Sequence, residues 1–341
     1  MDRFGFIVHP PDIDSLYRYF LKPGTRRRPD ALIEKVLEWT PPFKVAHVTG
    51  VKSVATGKEI EGYLIVCPLL PKQFLESESD LVLQKIVDAC KMAQDWGAKL
   101  VGLGGFTSVV GDQGRIVAEH LDIPVTTGNS YTAAAVIEGI FKAAEKMGTD
   151  LSRVKLAIIG ATGSIGSACA RILAQYVPHL VITARNQERL AELADTLCAS
   201  NTAAVEIAEN PKEAVRNAEV VITTTSATEA LIGADDLKSG AIVCDVAVPK
   251  NVSPDVVDRR NDVLIFEGGM VEPPGNAKYN PYVGLLDGLT YACMAEAMIL
   301  VLEGRFETYS LGRDLSLEKI NEISYLAIKH SFKTIVKEKH N

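Results

Sequence analysis

The chain has no surplus of basic charge: its 341 residues carry a formal net charge of -7. A nucleic-acid binder leaves a strongly basic footprint, so that class is set aside, while a small basic patch on an acidic body stays compatible with the number. Cysteine is sparse and scattered. Cys67, Cys90, Cys169, Cys198, Cys244 and Cys293 lie far apart, and no pair has zinc-site or CxxC spacing. Most sit in apolar runs, where a free cysteine behaves as a small hydrophobe. His9 and His47 fall in β-like segments and read as satisfied structural histidines, so no metal site is expected. Repeats and low-complexity tracts are also missing, and no leader peptide is expected. The longest apolar stretch, Ala292 to Leu302, is interrupted by Glu296 and is too short to span a bilayer. The expectation is a cytoplasmic protein with reduced thiols and no transmembrane segment, for which only peripheral membrane contact is compatible.

What is present is ordinary for a globular enzyme: 47% apolar and 23% charged residues. The length suits two domains. Strand-like runs at Phe4–Val8, Lys44–Val48, Glu61–Cys67, Lys99–Leu103 and Ile123–Thr126 alternate with helical stretches at Asp80–Gly97 and Tyr131–Met147. Tyr19–Asp30, with Lys22, Arg26, Arg27 and Arg28 among prolines and a glycine, reads as an exposed loop. A polar break at Gly148–Arg153 marks a border. Beyond it come strands at Lys155–Ile159, Leu180–Thr183, Ala203–Ile207, Val220–Thr224, Ile242–Val246 and Val263–Ile265. Alternating strands and helices imply an α/β fold with parallel sheets. Glu272–Tyr282, rich in Pro, Gly and Asn, reads as a loop. A nearly all-apolar helix, Leu289–Leu302, follows it, and an amphipathic helix with a basic tail, Leu315–Ile335, ends the chain. The expected domains are 1–148, 149–284 and a C-terminal helical segment, 285–341, returning to the first lobe.

The segment Gly160-Ala161-Thr162-Gly163-Ser164-Ile165-Gly166 lies between a strand and a helix, the context that gives a glycine fingerprint its meaning. Gly160 permits the turn, Gly163 lets a pyrophosphate approach the backbone, and Gly166 lets the helix pack on the sheet. The helix start offers N–H groups and a positive dipole end to phosphate. An NAD site carries Asp or Glu at the end of the second strand; here Arg185 and Asn186 stand there, with Arg189 close behind. A cation suits a 2′-phosphate, which points to NADP(H). Thr224, Thr225 and Ser226, after the fourth strand, are placed along the cofactor by position in such a fold.

Cys293, Glu296 and Ala297 share one helical face. A carboxylate in so apolar a helix needs a partner. The residues by themselves leave Cys293 as either a core cysteine or a nucleophile. Two glycine-bearing junctions, Gly104-Gly105-Phe106 and Gly128-Asn129-Ser130, are either ordinary turns and caps or sources of N–H donors for a substrate carbonyl.

These motifs together resemble the cyanobacterial-type long-chain acyl-[acyl-carrier-protein] reductases almost end to end. The matching stretches are Val51-Lys52-Ser53-Val54 with Ile60-Glu61-Gly62, Gly104 to Ser108, Thr126 to Asn129 with Thr132, Gly160 to Ser167, and Ala184-Arg185-Asn186. They continue through Pro249-Lys250-Asn251, Gly268-Gly269, Val271-Glu272, Ala292-Cys293 with Ala295 to Ala297, Gly312-Arg313, and Lys329-His330 with Phe332. The resemblance implies a Rossmann NADP-binding domain inserted in an α/β substrate lobe, as in shikimate dehydrogenases and glutamyl-tRNA reductases. It also implies NADPH-dependent reduction of a fatty acyl thioester to an aldehyde, with Cys293 carrying the acyl group. Glu296 or Lys250 would then manage a proton, and Gly104, Gly105, Phe106, Asn129 and Ser130 would supply the oxyanion site. The implied partners are an acyl thioester, an acidic acyl carrier protein docking on a basic surface such as Arg26–Arg28, and an aldehyde-consuming enzyme. The segments between Ser108 and Thr126 and from Pro273 to Leu289 depart from the pattern. Two other readings stand beside it: a shikimate/quinate-type dehydrogenase, although no Asn-Val-Thr-x-Pro-x-Lys stretch occurs, and a non-catalytic NADP-sensing or acyl-handling protein.

Overall fold

The computed structural model describes residues 1–22, 24–199, 203–281, 284 and 288–337. The strands in chain order are β1 Asp2–Val8, β2 Phe43–Lys52, β3 Glu59–Val66, β4 Leu100–Leu103, β5 Val125–Thr126, β6 Lys155–Ile159, β7 His179–Thr183 and β8 Ala204–Ile207. They continue as β9 Val220–Thr223, β10 Ile242–Asp245, β11 Leu264–Glu267, β12 Met270–Glu272, β13 Gly275–Asn280, β14 Thr290–Tyr291 and β15 Lys333–Thr334. The chain divides into two compact units. The first is Met1–Tyr131, Val271–Arg313 and Glu318–Lys333; the second is Thr132–Met270, Asp314–Leu317 and Thr334–Asn341. The architecture is two-domain α/β, with the second unit inserted into the sequence of the first.

The first unit holds a six-stranded sheet in the order β13-β2-β3-β1-β4-β5. β3, β1, β4 and β5 run parallel, whereas β2 and β13 are antiparallel to their neighbours. Helices cover both faces, so its inner strands read as apolar runs rather than alternating ones. The Ser79–Asp95 helix lies on the Gly5 face of β1, where Ala93 approaches closely. The Ala292–Glu303 helix packs against β1 and β4, with Ala297 beside Gly102. It is buried nearly all round, which is why it lacks the polar stripe of a surface helix.

The second unit holds a parallel sheet in the order β11-β10-β9-β6-β7-β8. This is the doubly wound dinucleotide-binding order, and its strand order reverses between β6 and β9. Such a reversal opens a crevice at the carboxyl ends of those two strands.

Several sequence expectations shift. The borders expected at 148 and 284 fall instead inside the Asn129–Met147 helix and at Val271. A border within a continuous helix leaves no polar break for composition to mark. Glu272–Tyr282, expected as a loop, contains all of β13, which pairs with β2 through Tyr279 and Val48 and through Asn280 and His47. Pairing at a sheet edge overrides poor strand propensity. Residues 282, 283 and 285–287 of the following segment, and 338–341 of the basic tail, lie outside the described residues. The Asp30–Trp39 helix, beyond the arginine-rich loop, had no counterpart in the sequence reading. Its buried face is only Ile33 and Leu37, too few positions for a clear period. Its carboxyl end is capped from elsewhere, by Lys85 Nζ donating to Leu37 O at 3.2 Å and Thr40 O at 2.8 Å.

Candidate active site

In the second unit, Gly160 turns the chain off β6 with φ of +84°, and a side chain there would press on Thr224. At Gly166 a Cβ would stand 2.4 Å from Gly160 O. The Ser164–Leu173 helix has Gly163 as its N-cap and no side-chain cap, the arrangement in which an anion completes the helix start. Thr162, Ser164 and Ile165 belong to the same turn and first helical residues. Arg185, at the end of β7, is exposed, and its Nη2 donates to Ser226 Oγ, beyond β9, at 3.1 Å. β7 and β9 flank β6, so this bond crosses the mouth of the glycine loop. Thr224 Oγ1 donates to Ile159 O at 3.2 Å, and Thr225 Oγ1 to Asn251 Oδ1 at 2.8 Å. Asn186 accepts from Arg189 N–H at 2.9 Å and so caps the Gln187–Ala199 helix.

Two residues of this unit have no role assigned in the sequence reading. Asp245, fully buried at the end of β10, accepts from Thr223 Oγ1 at 2.7 Å and from the N–H groups of Ala247, Asn251 and Val252. It thereby shapes the 245–252 loop. Asn251 is also fully buried, and its Nδ2 has no partner. The signal for Asp245 was a polar residue ending an apolar strand, which carries no meaning until the strand order is known; Asn251 lies in the loop beyond it. Lys250 Nζ sits 2.6 Å from Glu267 Oε1, a pair belonging to this unit.

The first unit holds Cys293. It occupies the first turn of the Ala292–Glu303 helix and is partly exposed, whereas Cys67, Cys90, Cys169 and Cys244 are buried and Cys198 is exposed. Against it lies Gly128, at the start of the Asn129–Met147 helix. A Cβ on Gly128 would meet Cys293 Cα at 2.2 Å and Cβ at 2.5 Å, and its φ of +73° is in the left-handed region. Only glycine allows this contact. The start of a second helix thus lies against the Cys293 backbone, itself in the first turn of a helix, and a positive dipole end favours thiolate. Burial works in the opposite direction and pushes the Cys293 thiol up to about 12, although hydrogen bonding from the Met294 backbone draws it down.

Glu296 explains how the two helix starts are held. It is fully buried, accepts from Tyr131 N–H at 2.7 Å through Oε2, and accepts from the Thr126 hydroxyl through Oε1. Burial raises its pKa, against the pull of those donors and of Ser310. Neither Thr126 nor Ser310 has a site role in the sequence reading; Thr126 lies 170 residues from Glu296 along the chain. Ser130 N–H donates to Ser310 Oγ at 3.2 Å, while Ser130 Oγ is buried with no partner.

The Gly104-Gly105-Phe106 turn is differently occupied. Gly104 N–H donates to Ile7 O at 2.9 Å, and Phe106 N–H to His9 Nε2 at 3.0 Å. Burial lowers the His9 pKa to about 4, so the ring is neutral, with Nδ1 3.0 Å from Pro10 O. Among the described residues no group of three or more His, Cys, Asp or Glu is arranged to hold a metal, and no helix is long and apolar enough to cross a membrane.

Comparison with known proteins adds to this geometry. Residues 142–266 match the family model for shikimate / quinate 5-dehydrogenase. Over 97% of its length the chain is 32% identical to aminotransferase PigE of Serratia sp., of which it covers 39%. It is 29% identical to the long-chain acyl-[acyl-carrier-protein] reductase of Synechococcus elongatus, covering 97% of this chain and 98% of that protein. A glutamyl-tRNA reductase of Chlorobaculum parvum is 29% identical over 39% of this chain and 32% of its own. The chain therefore spans well under half of the Serratia protein and nearly all of the Synechococcus one. The glycine turn, the uncapped helix start and Arg185 in place of an acid all fit one ligand, and the family match covers the same residues. The second unit is an NADP(H)-binding Rossmann domain.

Proposed function

We propose that the chain reduces a long-chain fatty acyl thioester, carried by an acyl carrier protein or coenzyme A, to the fatty aldehyde through an acyl-enzyme on Cys293. The observation that carries this reading is the contact of Gly128 with Cys293, which brings a second helix start against the backbone of a partly exposed cysteine. The likeness to the Synechococcus reductase over both full lengths supports it. So does a cofactor of the reducing kind.

In this reading the Cys293 sulfur attacks the thioester carbonyl, its proton leaves with the departing thiol, and the acyl group remains on Sγ. The Ser130 hydroxyl and the Asn129 end of its helix serve the oxyanion. Gly104 and Phe106 are assigned to the fold instead, because their N–H groups are already used. Glu296 accepts hydrogen bonds on both oxygens, so it is a positioning residue that keeps Gly128 against Cys293. Lys250, paired with Glu267, is assigned to the cofactor unit and not to proton transfer. Gly160, Thr162, Gly163, Ser164, Ile165 and Gly166 hold the pyrophosphate. Arg185 takes the 2′-phosphate, Asn186 and Arg189 the loop beside it, and Thr224, Thr225 and Ser226 the far side. When bound, NADPH supplies the hydride that takes the acyl group to the aldehyde level.

Intact-mass measurement after incubation with a long-chain acyl thioester tests the reading. We expect an acyl adduct that is absent in Cys293→Ala and is discharged as aldehyde on adding NADPH. An adduct unchanged in Cys293→Ala, or aldehyde formed by that variant, would overturn it. The shikimate / quinate match favours a second reading, NADP-dependent oxidation of a polar hydroxy acid. That match lies in residues 142–266 and so concerns the cofactor unit. Turnover of shikimate or quinate, with no adduct and no aldehyde, would establish the second reading instead.

A further inference from the structure

We propose that the Asp30–Trp39 helix and the arginine-rich loop before it form a docking surface for an anionic lipid bilayer. Ile33 and Leu37 turn inward, in a cluster with Leu16 and Leu70. The outward face is apolar where a solvated helix would be polar. Leu32 is 49% exposed, Val36 49% and Trp39 85%. Spacings of four and three residues place them in one row along the helix. Exposed apolar rows rimmed by polar residues mark interaction surfaces.

The charge around the row selects the occupant. Lys35 flanks it, and Lys22, Arg26, Arg27 and Arg28 precede it, all exposed. Glu34 and Glu38 fall on the far side of the helix from Leu32 by helical spacing. From Arg18 to Trp39 there are six cations and three carboxylates, in a chain whose net charge is -7. Arg27 is held by Asp14 and Asp30, while no carboxylate pairs with Arg26 or Arg28 among the described residues. A straight apolar row with cations at its margin and an indole at its end matches a flat surface. There the apolar side chains enter the acyl boundary, the indole sits at headgroup level, and the cations meet lipid phosphate. An acidic carrier protein would use the same cations, but it has no need of a fully presented tryptophan in line with leucine and valine. None of these residues belongs to the proposed catalytic or cofactor machinery, so the inference stands apart from thioester reduction.

Sedimentation of the full chain with vesicles tests it. The chain is mixed with phosphatidylcholine vesicles, or with vesicles containing phosphatidylglycerol as well, at low and high salt. We expect binding to the anionic vesicles at least about tenfold tighter than to the neutral ones, and weakened by salt. Arg26→Glu with Arg28→Glu, and separately Leu32→Glu with Val36→Glu and Trp39→Glu, should each leave the protein in the supernatant while its melting transition is kept. If the triple variant fails to fold, Trp39→Ser alone decides, by at least a threefold loss of binding. The proposal is overturned if the natural sequence does not sediment with anionic vesicles, or if the variants sediment as well as it does. Vesicle-independent binding of an acidic carrier protein that is lost in the same variants, with no lipid binding, would overturn it in favour of that partner.

Discussion

Two glycine turns leave neighbouring strands of the same sheet, one after β4 and one after β5, and they end in opposite uses. After β4, the turn at Gly104-Gly105-Phe106 closes on His9: Phe106 N–H donates to His9 Nε2, and the Gly104 N–H completes a bond to Ile7. After β5, Gly128 opens a long helix directly against the backbone of Cys293. As local sequence the turns are interchangeable, since each puts glycine and small polar residues between a strand and a helical turn. What separates them is the side chain that arrives from a distant part of the chain. A neutral imidazole fills the first turn and makes it structural. The backbone of Cys293, on a second helix start, lies against the other, the place proposed for the chemistry. Backbone donors are therefore not evidence of a site until their occupants are known.

The largest test of this contrast is Gly128→Ala. The added methyl would overlap the Cys293 backbone, which cannot yield as a side-chain tip does, and the φ of +73° adds strain. A loss of about 4 kcal/mol in denaturant unfolding is expected, with adduct formation abolished. Gly105→Ala, at φ of +56° and against the His9 ring, should cost about half as much and leave adduct formation intact. Equal losses in the two variants would erase the distinction between the turns.

The next effect concerns His9 and pH. Its folded pKa lies near 4, below the ordinary 6.5. The unfolded ring therefore takes up a proton first. Stability that is full above pH 6.5 should decline as pH falls toward 4, by about 3 kcal/mol. Urea unfolding at several pH values checks this, and His9→Gln should flatten that part of the profile. Somewhat smaller is Glu296→Gln. Its amide would set a donor against either Tyr131 N–H or the Thr126 hydroxyl, at a cost of about 2 kcal/mol. If Glu296 positions Cys293 as proposed, the rate of adduct formation should fall with it, while NADPH binding to the other unit is unchanged.

The smallest effect is kinetic. Burial holds the free Cys293 thiol near 12, so in the absence of substrate its alkylation by iodoacetamide should be slow and should rise about tenfold per pH unit between 8 and 10, without a plateau. Exposed Cys198 should label first. Peptide mapping separates the two. A plateau for Cys293 below pH 8 would mean that the two helix starts outweigh burial.

The cofactor unit was largely legible in the sequence because its determinants are local. The strand, glycine turn and helix around Gly160 lie within a few residues of one another, and Arg185 follows at the end of the next strand. Chain geometry alone brings such neighbours together. Only the partner of Arg185, Ser226, and the buried pair Asp245 and Asn251 waited on the sheet order. The Asp30–Trp39 helix was missed because two buried positions make no period, and β13 because its pairing with β2 outweighs its own composition. In the first unit, Cys293 and Glu296 were visible as an odd pair in an apolar helix, but the residues by themselves left their roles undecided.

The sequence by itself determined the alternation of strands and helices, the dinucleotide turn and the cation in place of an acid. All of these follow from backbone preference and charge over short stretches. Tertiary structure alone decided which glycine turn meets the thiol, what holds Glu296, and where the domain borders fall. Those contacts join residues more than a hundred positions apart, and only packing of the whole sheet and its covering helices brings them within a few ångströms.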